Sequence, residues 1–522
     1  MAASIFVILF AGTIAVGFLS ARWKQTSLAS LSEWSLAGRS IGPWISWFLV
    51  GGDLYTAYTF IAIPALLFSA GALGFYAIPY TIVCYPLLFL ILPKLWQVAQ
   101  KHGYVTGPEY VRGRFGNRWL ALAIGITGIV ATMPYIALQL VGTQVIFGAL
   151  GFTFGWNLPI VISFLLLAGF SCFAGLRASA LISIIKGVLI FATVLVAIVV
   201  IPMHLGGYAG FFAKVDPSKL LLPAATAANW GQFSAYGTLA LGSAIALFLY
   251  PHALTGLLSA ASANVIKRNA MTLPAFTLLL GFVALLGFMA LAAGVAHDPA
   301  FAEGFRQYGA SFAVPAIIMA SFPSWFVGVA FAAIAIGALV PASIMAIGSA
   351  NIIVRDVWTM FAPWRSEASE ATAAKVFAAL MVVAGLLFMI LIPMKDVVNF
   401  QLLGGIWISQ TFPALALSLF WRRAFTGWGL FVGWLVGVVS GTWMVISLGF
   451  AGSVFSVHVF GVTIPSYIAL VALVLNIVVS FVLTPFLRTV DKGSDETADA
   501  DYEQVRHVPS TVPGTPGLRP AL

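Results

Sequence analysis

The chain has 522 residues, of which 61% are hydrophobic and only 8% charged, and its mean hydropathy is +1.03. That balance excludes a soluble domain and indicates an all-α, polytopic membrane protein embedded in a lipid bilayer. The formal net charge of +9 is a matter of topology, not a nucleic-acid footprint, because of where the basic residues fall. The two cysteines, Cys84 and Cys172, sit in apolar runs, so neither a disulfide framework nor a metal cluster is expected.

Windows of about 20 apolar residues, the length that spans the hydrocarbon, recur thirteen times. They fall near 3–20, 42–70, 74–97, 118–147, 155–176, 180–205, 235–258, 270–296, 324–352, 372–392, 397–419, 426–449 and 466–486. The first lacks a basic n-region and is expected to persist as a helix, not as a cleaved signal. Eighteen lysines and arginines, from Arg22 and Lys24 to Arg488 and Lys492, fall on one side of these spans. Only Lys214, Lys219, Arg306 and Lys395 fall on the other. The positive-inside rule then puts the N-terminus outside and the C-terminus in the cytoplasm. After Leu487 the sequence turns acidic and polar, DKGSDETADADYEQ, and ends rich in Pro and Gly. The expectation is a transmembrane domain over 1–490 and a disordered cytoplasmic tail over 491–522.

The second window carries Gly51-Gly52-Asp53, which weakens helical continuity and places a carboxylate where lipid makes charge costly. The seventh carries Tyr250-Pro251-His252. Spans two to six and seven to eleven make two sets of five, about 42–205 and 235–419, and each set opens on an interrupted helix. An odd number of spans per set inverts the second relative to the first. Interruptions at corresponding positions of two halves point to a transporter's central site.

Ser32 to Trp44, SEWSLAGRSIGPW, resembles the loop that leads into the first core helix of the sodium:solute symporter family. Val105 to Gly116, VTGPEYVRGRFG, resembles that family's basic loop, and Gly175 to Gly187, GLRASALISIIKG, resembles the start of its sixth helix. Pro134–Gly142, the stretch from Leu249 to Ala261 and Gly337–Asn351 look like its bacterial monocarboxylate permease branch. The resemblance covers about residues 1 to 490. It implies a five-plus-five inverted-repeat (LeuT-like) core in a bacterial plasma (inner) membrane. The implied activity is symport of short monocarboxylates (pyruvate, lactate, acetate, propionate, sometimes alanine) with a coupling cation, and no cofactor.

In that family a sodium ion lies between carbonyls of the first core helix and hydroxyls of the ninth helix. The resemblance carries the carbonyls onto Gly51 and Leu54, around Asp53. It carries the hydroxyl positions onto Val340 and Pro341, with a third ligand position at Gly337. Neither Val nor Pro has a side-chain oxygen, and a hard cation wants several. Ser343 and Ser349 substitute only if Pro341 shifts the helix. Where many relatives carry Asp in the sixth helix this chain has Ser183, and three residues on it has Lys186. One reading makes Lys186 a tethered cation that forms a protonatable pair with Asp53, so that the coupling ion is H+ and not Na+. The other has Lys186 snorkelling to the interface.

For the substrate, Tyr55 and Thr56 lie beyond the Gly-Gly pair, Gln139 is an amide in a span, and Tyr250 and His252 flank the second interruption. His252 either carries a proton or satisfies a carbonyl freed by Pro251. Gln401 and Gln410 are further polar groups at membrane depth, whereas Tyr58 and Tyr135 read as packing. The rival within the class is a Na+-coupled symporter of another small solute such as pantothenate, proline or acetate. A sensor built on a transporter core lacks room after Leu487, and no enzyme signature is present.

Overall fold

Gly175 takes φ +63°, and a Cβ there would come within 2.6 Å of the Trp34 carbonyl oxygen, so only glycine fits the sharp kink in the long helix that follows residue 157. The computed structural model describes residues 1–20, 30–152, 158–391, 397–450, 452–491 and 493–502. The helices that position the site are α1 (Ala2–Ser20), α2 (Pro43–Leu54), α3 (Ile63–Ala70), α4 (Ala77–His102), α5 (Gly107–Phe115), α6 (Arg118–Ala149) and the kinked α7 (Leu158–His204). After them come α8 (Gly231–Leu247), α9 (Pro251–Leu258), α10 (Ala263–Ala292), α11 (Ser324–Ile352), α12 (Glu367–Leu391), α13 (Val397–Ser409) and α14 (Phe412–Leu415). The last spans are α15 (Gly427–Ser447) and α16 (Ile468–Leu487).

Two groups of helices pack internally. The first holds α3, α4, α8 and α10, and the second α6, α7, α11 and α12. Helix α11 runs through the centre and is buried along nearly its whole length. The half-helices α2 and α9 lie in the seam, α2 against α7 and α9 against α11. At the end of the bundle that bears the basic loops, Ile41 bridges to Ala260. The Ile41 N–H donates to the Ser259 carbonyl at 3.2 Å and the Ala261 N–H to the Ile41 carbonyl at 2.9 Å. There α5 starts with a capping box, in which Thr106 accepts from the Glu109 N–H and Glu109 from the Thr106 N–H.

Among the described residues nine helices are long and apolar enough to cross a membrane, or eleven when two bent pairs count as one span each. The thirteen windows differ for a physical reason. The window at 42–70 is two short half-helices, and the one at 155–176 lies partly outside the described residues.

Before the last span, β1 (Val454–Val459) and β2 (Val462–Tyr467) form an antiparallel hairpin with Val454 opposite Tyr467. Its two-residue turn, Phe460-Gly461, takes positive φ at both positions, the geometry that matches strand twist. One expectation needs correction: the tail expected to be disordered over 491–522 is packed in part. Residues 493–502 are ordered against the basic end, with Asp501 and Tyr502 buried. Residues 503–522 lie outside the described part.

Candidate functional site

The first interruption is real but lies later than the glycine pair. Gly51 and Gly52 are helical, and the chain leaves the helix at Tyr55, with φ −91° and ψ 81°. It resumes through a π-helical turn at Tyr58–Ala62. Gly51 serves close approach, since a Cβ there would meet Leu273 at 2.9 Å and Phe276 at 3.1 Å, whereas a Cβ on Gly52 would make only an ordinary contact with Ser183 at 3.7 Å. The second interruption falls where expected. Helices α8 and α9 meet at 54°, and Pro251 opens α9, where a missing N–H costs nothing.

The breaks face each other. Asp53 Oδ2 lies 3.5 Å from His252 Nε2, which joins α2 to α9. Asp53 Oδ1 and His252 Nδ1 are buried without a hydrogen-bond partner. The His252 ring stands edge-on to Tyr135, centroids 5.4 Å apart, and tilts against Tyr250 at the same separation.

Lys186 does not snorkel. It is fully buried on α7, and its Nζ donates to the Gly52 carbonyl at 2.6 Å. That carbonyl also accepts from the Tyr55 N–H at 3.0 Å, so the ammonium sits where the helix stops. Lys186 and Asp53 are close enough for each to act on the other's charge. The Leu54 carbonyl is taken by the Thr59 hydroxyl. Helix α11 lies against the break, since a Cβ on Gly337 would meet the Tyr55 carbonyl oxygen at 3.5 Å. Val340 and Pro341 are buried on it and bring no side-chain oxygen. The hydroxyls of Ser343 and Ser179 are 3.4 Å apart, and the Ser349 hydroxyl is buried without a partner.

Several substrate candidates are occupied by the fold itself. The Tyr55 hydroxyl donates to the Phe276 carbonyl. Gln139 accepts from the Ala57 N–H at 2.9 Å and donates to the Tyr135 carbonyl at 3.3 Å, so its amide satisfies backbone freed at the break. Thr56 accepts from the Tyr58 N–H at 3.1 Å. Gln410 sits at the 51° bend after α13, bonded to the Ile406 carbonyl and to Asn476 of α16, away from both cavities described next. The Gln401 side chain lies outside the described residues.

Two cavities meet at Leu247. One, of about 480 Å³ including its open mouth, is lined by Asp53, His252, Cys84, Tyr85 and apolar side chains. The other, of about 400 Å³, is lined by Tyr58, Tyr80, Tyr135, Tyr250, Tyr467 and Ser243. The Tyr250 hydroxyl is buried there without a partner. Tyr58 and Tyr135, which read as packing in sequence, thus face a cavity. Sequence missed Tyr80 and Tyr467 because a tyrosine in a span carries no signal until a cavity gathers several.

Comparison with known proteins agrees with this architecture. The family model described as "Sodium:solute symporter family" matches residues 34–437. The monocarboxylate transport permease protein of Rhizobium johnstonii is 45% identical over 497 residues, which is 93% of this chain and 97% of that one. YodF of Bacillus subtilis, an uncharacterized symporter, is 34% identical over 416 residues, 78% of this chain and 81% of its own. A Na+-coupled sialic acid symporter, solved in a substrate-bound outward-open state, shares the fold with a TM-score of 0.75 at 16% identity. The match covers 93% of this chain and 97% of that one. The interrupted half-helices paired across the seam, the length of the match and these relatives lead to one conclusion: this chain belongs to the sodium:solute symporter family and has its five-plus-five, LeuT-like fold.

Proposed function

We propose that the protein imports short monocarboxylates (pyruvate, lactate, acetate, propionate and alanine among the candidates) across the bacterial inner membrane by alternating access, coupled to H+. The N-terminus is outside and the C-terminus cytoplasmic, in keeping with the distribution of basic residues. The observation that carries the H+ reading is the Lys186 ammonium on the Gly52 carbonyl, beside positions where Val340 and Pro341 offer no oxygen. A tethered cation there does what a bound metal ion would do for the exposed carbonyl end of α2, and it does so only while protonated. Asp53, 3.5 Å from His252 and close enough to Lys186 for each to act on the other's charge, is the acid with which that proton is exchanged. The monocarboxylate reading leans on the name of the Rhizobium relative, and on a tyrosine-lined cavity that offers a hydroxyl donor and small apolar walls.

Transport by this mechanism needs solute and proton to favour the same conformation. The test is uptake of radiolabelled pyruvate by the purified protein in liposomes, with a pH gradient or a sodium gradient imposed separately. Uptake driven by pH alone is expected. Uptake that requires sodium would replace this reading by Na+ symport, with the Ser179–Ser343 hydroxyl pair as the oxygen source. Failure of pyruvate under both gradients would transfer the question to other small solutes.

A further inference from the structure

Asp491 and the acidic stretch 493–502 touch α4, α5, Arg422 and the start of α15 at the basic end, and so cross the seam between the two helix groups. Asp491 Oδ2 accepts from the Gly427 N–H at 2.5 Å, at the start of α15 where a carboxylate meets the positive end of the helix. Gly493 passes so close to α5 that a Cβ would meet the Phe115 carbonyl oxygen at 1.9 Å, and a Cβ on Gly116 would meet Ser494 N at 2.5 Å. The Glu496 N–H then donates to the Gly113 carbonyl at 2.8 Å. Asp495 bridges Arg114 of α5, at 2.5 Å, and Arg422, at 2.9 Å. Asp499 also pairs with Arg422, and the Tyr502 ring lies 4.5 Å from that guanidinium. Finally Asp501 pairs with Lys101 and, at 2.7 Å, with His102, at the end of α4. Burial pushes the Asp501 carboxyl up, yet hydrogen bonds from Lys101, His102 and the Ala498 N–H outweigh it and hold it well below the usual carboxylate range. It is therefore anionic when docked.

Helix α4 belongs to the first helix group. Helix α5 packs on α6 of the second, and Arg422 lies just beyond α14. Alternating access moves such groups against one another around a fixed site. A segment anchored on both sides of the seam must stretch or detach whenever this end opens. Exposed ion pairs contribute little singly, but here four carboxylates, two glycine contacts and a stacked tyrosine act together, and Thr497, Asp501 and Tyr502 are buried. We infer that Asp491 and residues 493–502 form a strap that holds the basic end closed and slows transport until it lets go. The inference rests on the alternating-access reading and on neither the substrate nor the coupling ion.

The test uses the full chain in lipid nanodiscs and in liposomes. One variant combines Asp495→Asn, Asp499→Asn and Asp501→Asn. A second deletes residues 493–522 and so keeps Asp491. Hydrogen–deuterium exchange should quicken roughly threefold or more at 105–116 and 420–427 in both variants, as well as at 493–502 in the first. Initial solute uptake should rise by about the same factor. Faster exchange confined to 493–502 would overturn the strap, as would faster exchange at the seam with uptake unchanged or lower. Absence of pyruvate uptake in the parent protein would be a failure of the substrate assignment, and the exchange result would still decide for or against the strap.

Discussion

Lys186 and Gly52 meet through a 2.6 Å hydrogen bond from ammonium to carbonyl, at the point where α2 ends and inside a site from which solvent is excluded. Glutamine in place of Lys186 removes the charge but keeps an N–H donor for the buried carbonyl, so the substitution should be felt in coupling more than in folding. Lys186→Gln should lower pH-driven uptake about 10- to 100-fold while the protein still purifies as a monodisperse species. A sodium gradient should not restore it. Retention of full pH-driven uptake by this variant would show that Lys186 is structural.

Asp53 Oδ2 lies 3.5 Å from His252 Nε2, across the seam from its own half-helix. Asp53→Asn keeps the shape and removes the proposed proton carrier. Accumulation of solute against its gradient should be lost, while exchange of labelled for unlabelled solute at equal concentrations on the two sides persists. Loss of both activities would assign Asp53 to solute binding instead of coupling.

Gln139 does a backbone job. Its Oε1 accepts from the Ala57 N–H at 2.9 Å in a fully enclosed setting. Gln139→Met keeps the volume and removes the acceptor, which leaves a buried N–H unpaired at a cost of about 1–3 kcal/mol. The thermal transition of the purified protein should fall by several degrees, with the KM for solute little changed in material that remains folded. A large rise in KM without loss of stability would instead place Gln139 in the solute site.

Gly348 on α11 lies against α9: a Cβ there would meet the Pro251 carbonyl carbon at 2.8 Å and the His252 nitrogen at 2.9 Å. Both are backbone atoms and have little room to yield. Gly348→Ala should therefore push α9 off α11 and displace His252 from Asp53. Transport should fall at least tenfold, a loss that a shift of about an ångström at a positioned site can produce. Wild-type rates in this variant would mean that α9 has slack the packing does not suggest.

The sequence carried the architecture because its signals are local. Apolar length marks spans and Pro251 dates a break to the residue, whereas Lys186, open to snorkelling in sequence, is settled only by its ammonium on the Gly52 carbonyl. The rest depended on what lies across space. Gly51-Gly52 reads as a break, yet both residues stay helical, with Gly51 making room for Leu273, and the chain unwinds at Tyr55. The hydroxyl of Tyr55 and the amide of Gln139 look free until Phe276 and Ala57 are set beside them. The acidic tail reads as solvated for the same reason: no local signal says that Arg114, Arg422 and Lys101 converge on one surface to receive it.

Tyr250 supplies the sharpest probe of the solute cavity. Two of its neighbours there have committed hydroxyls: Tyr58 bonds to Tyr76 at 2.6 Å and Tyr467 donates to the Leu402 carbonyl at 3.0 Å. The Tyr250 hydroxyl is buried and has no protein partner, although it lies in the wall of the cavity. A carboxylate brought into that space would accept a hydrogen bond from it, and a bond to a charged group is worth about 1.5–3 kcal/mol. Tyr250→Phe should accordingly raise the KM for a monocarboxylate roughly tenfold or more, with the thermal transition unchanged or slightly higher because a buried unpaired hydroxyl has been removed. Titration of uptake against solute concentration in the parent and the variant measures this directly. An unchanged KM would move the carboxylate out of the tyrosine-lined cavity and into the neighbouring one, beside His252.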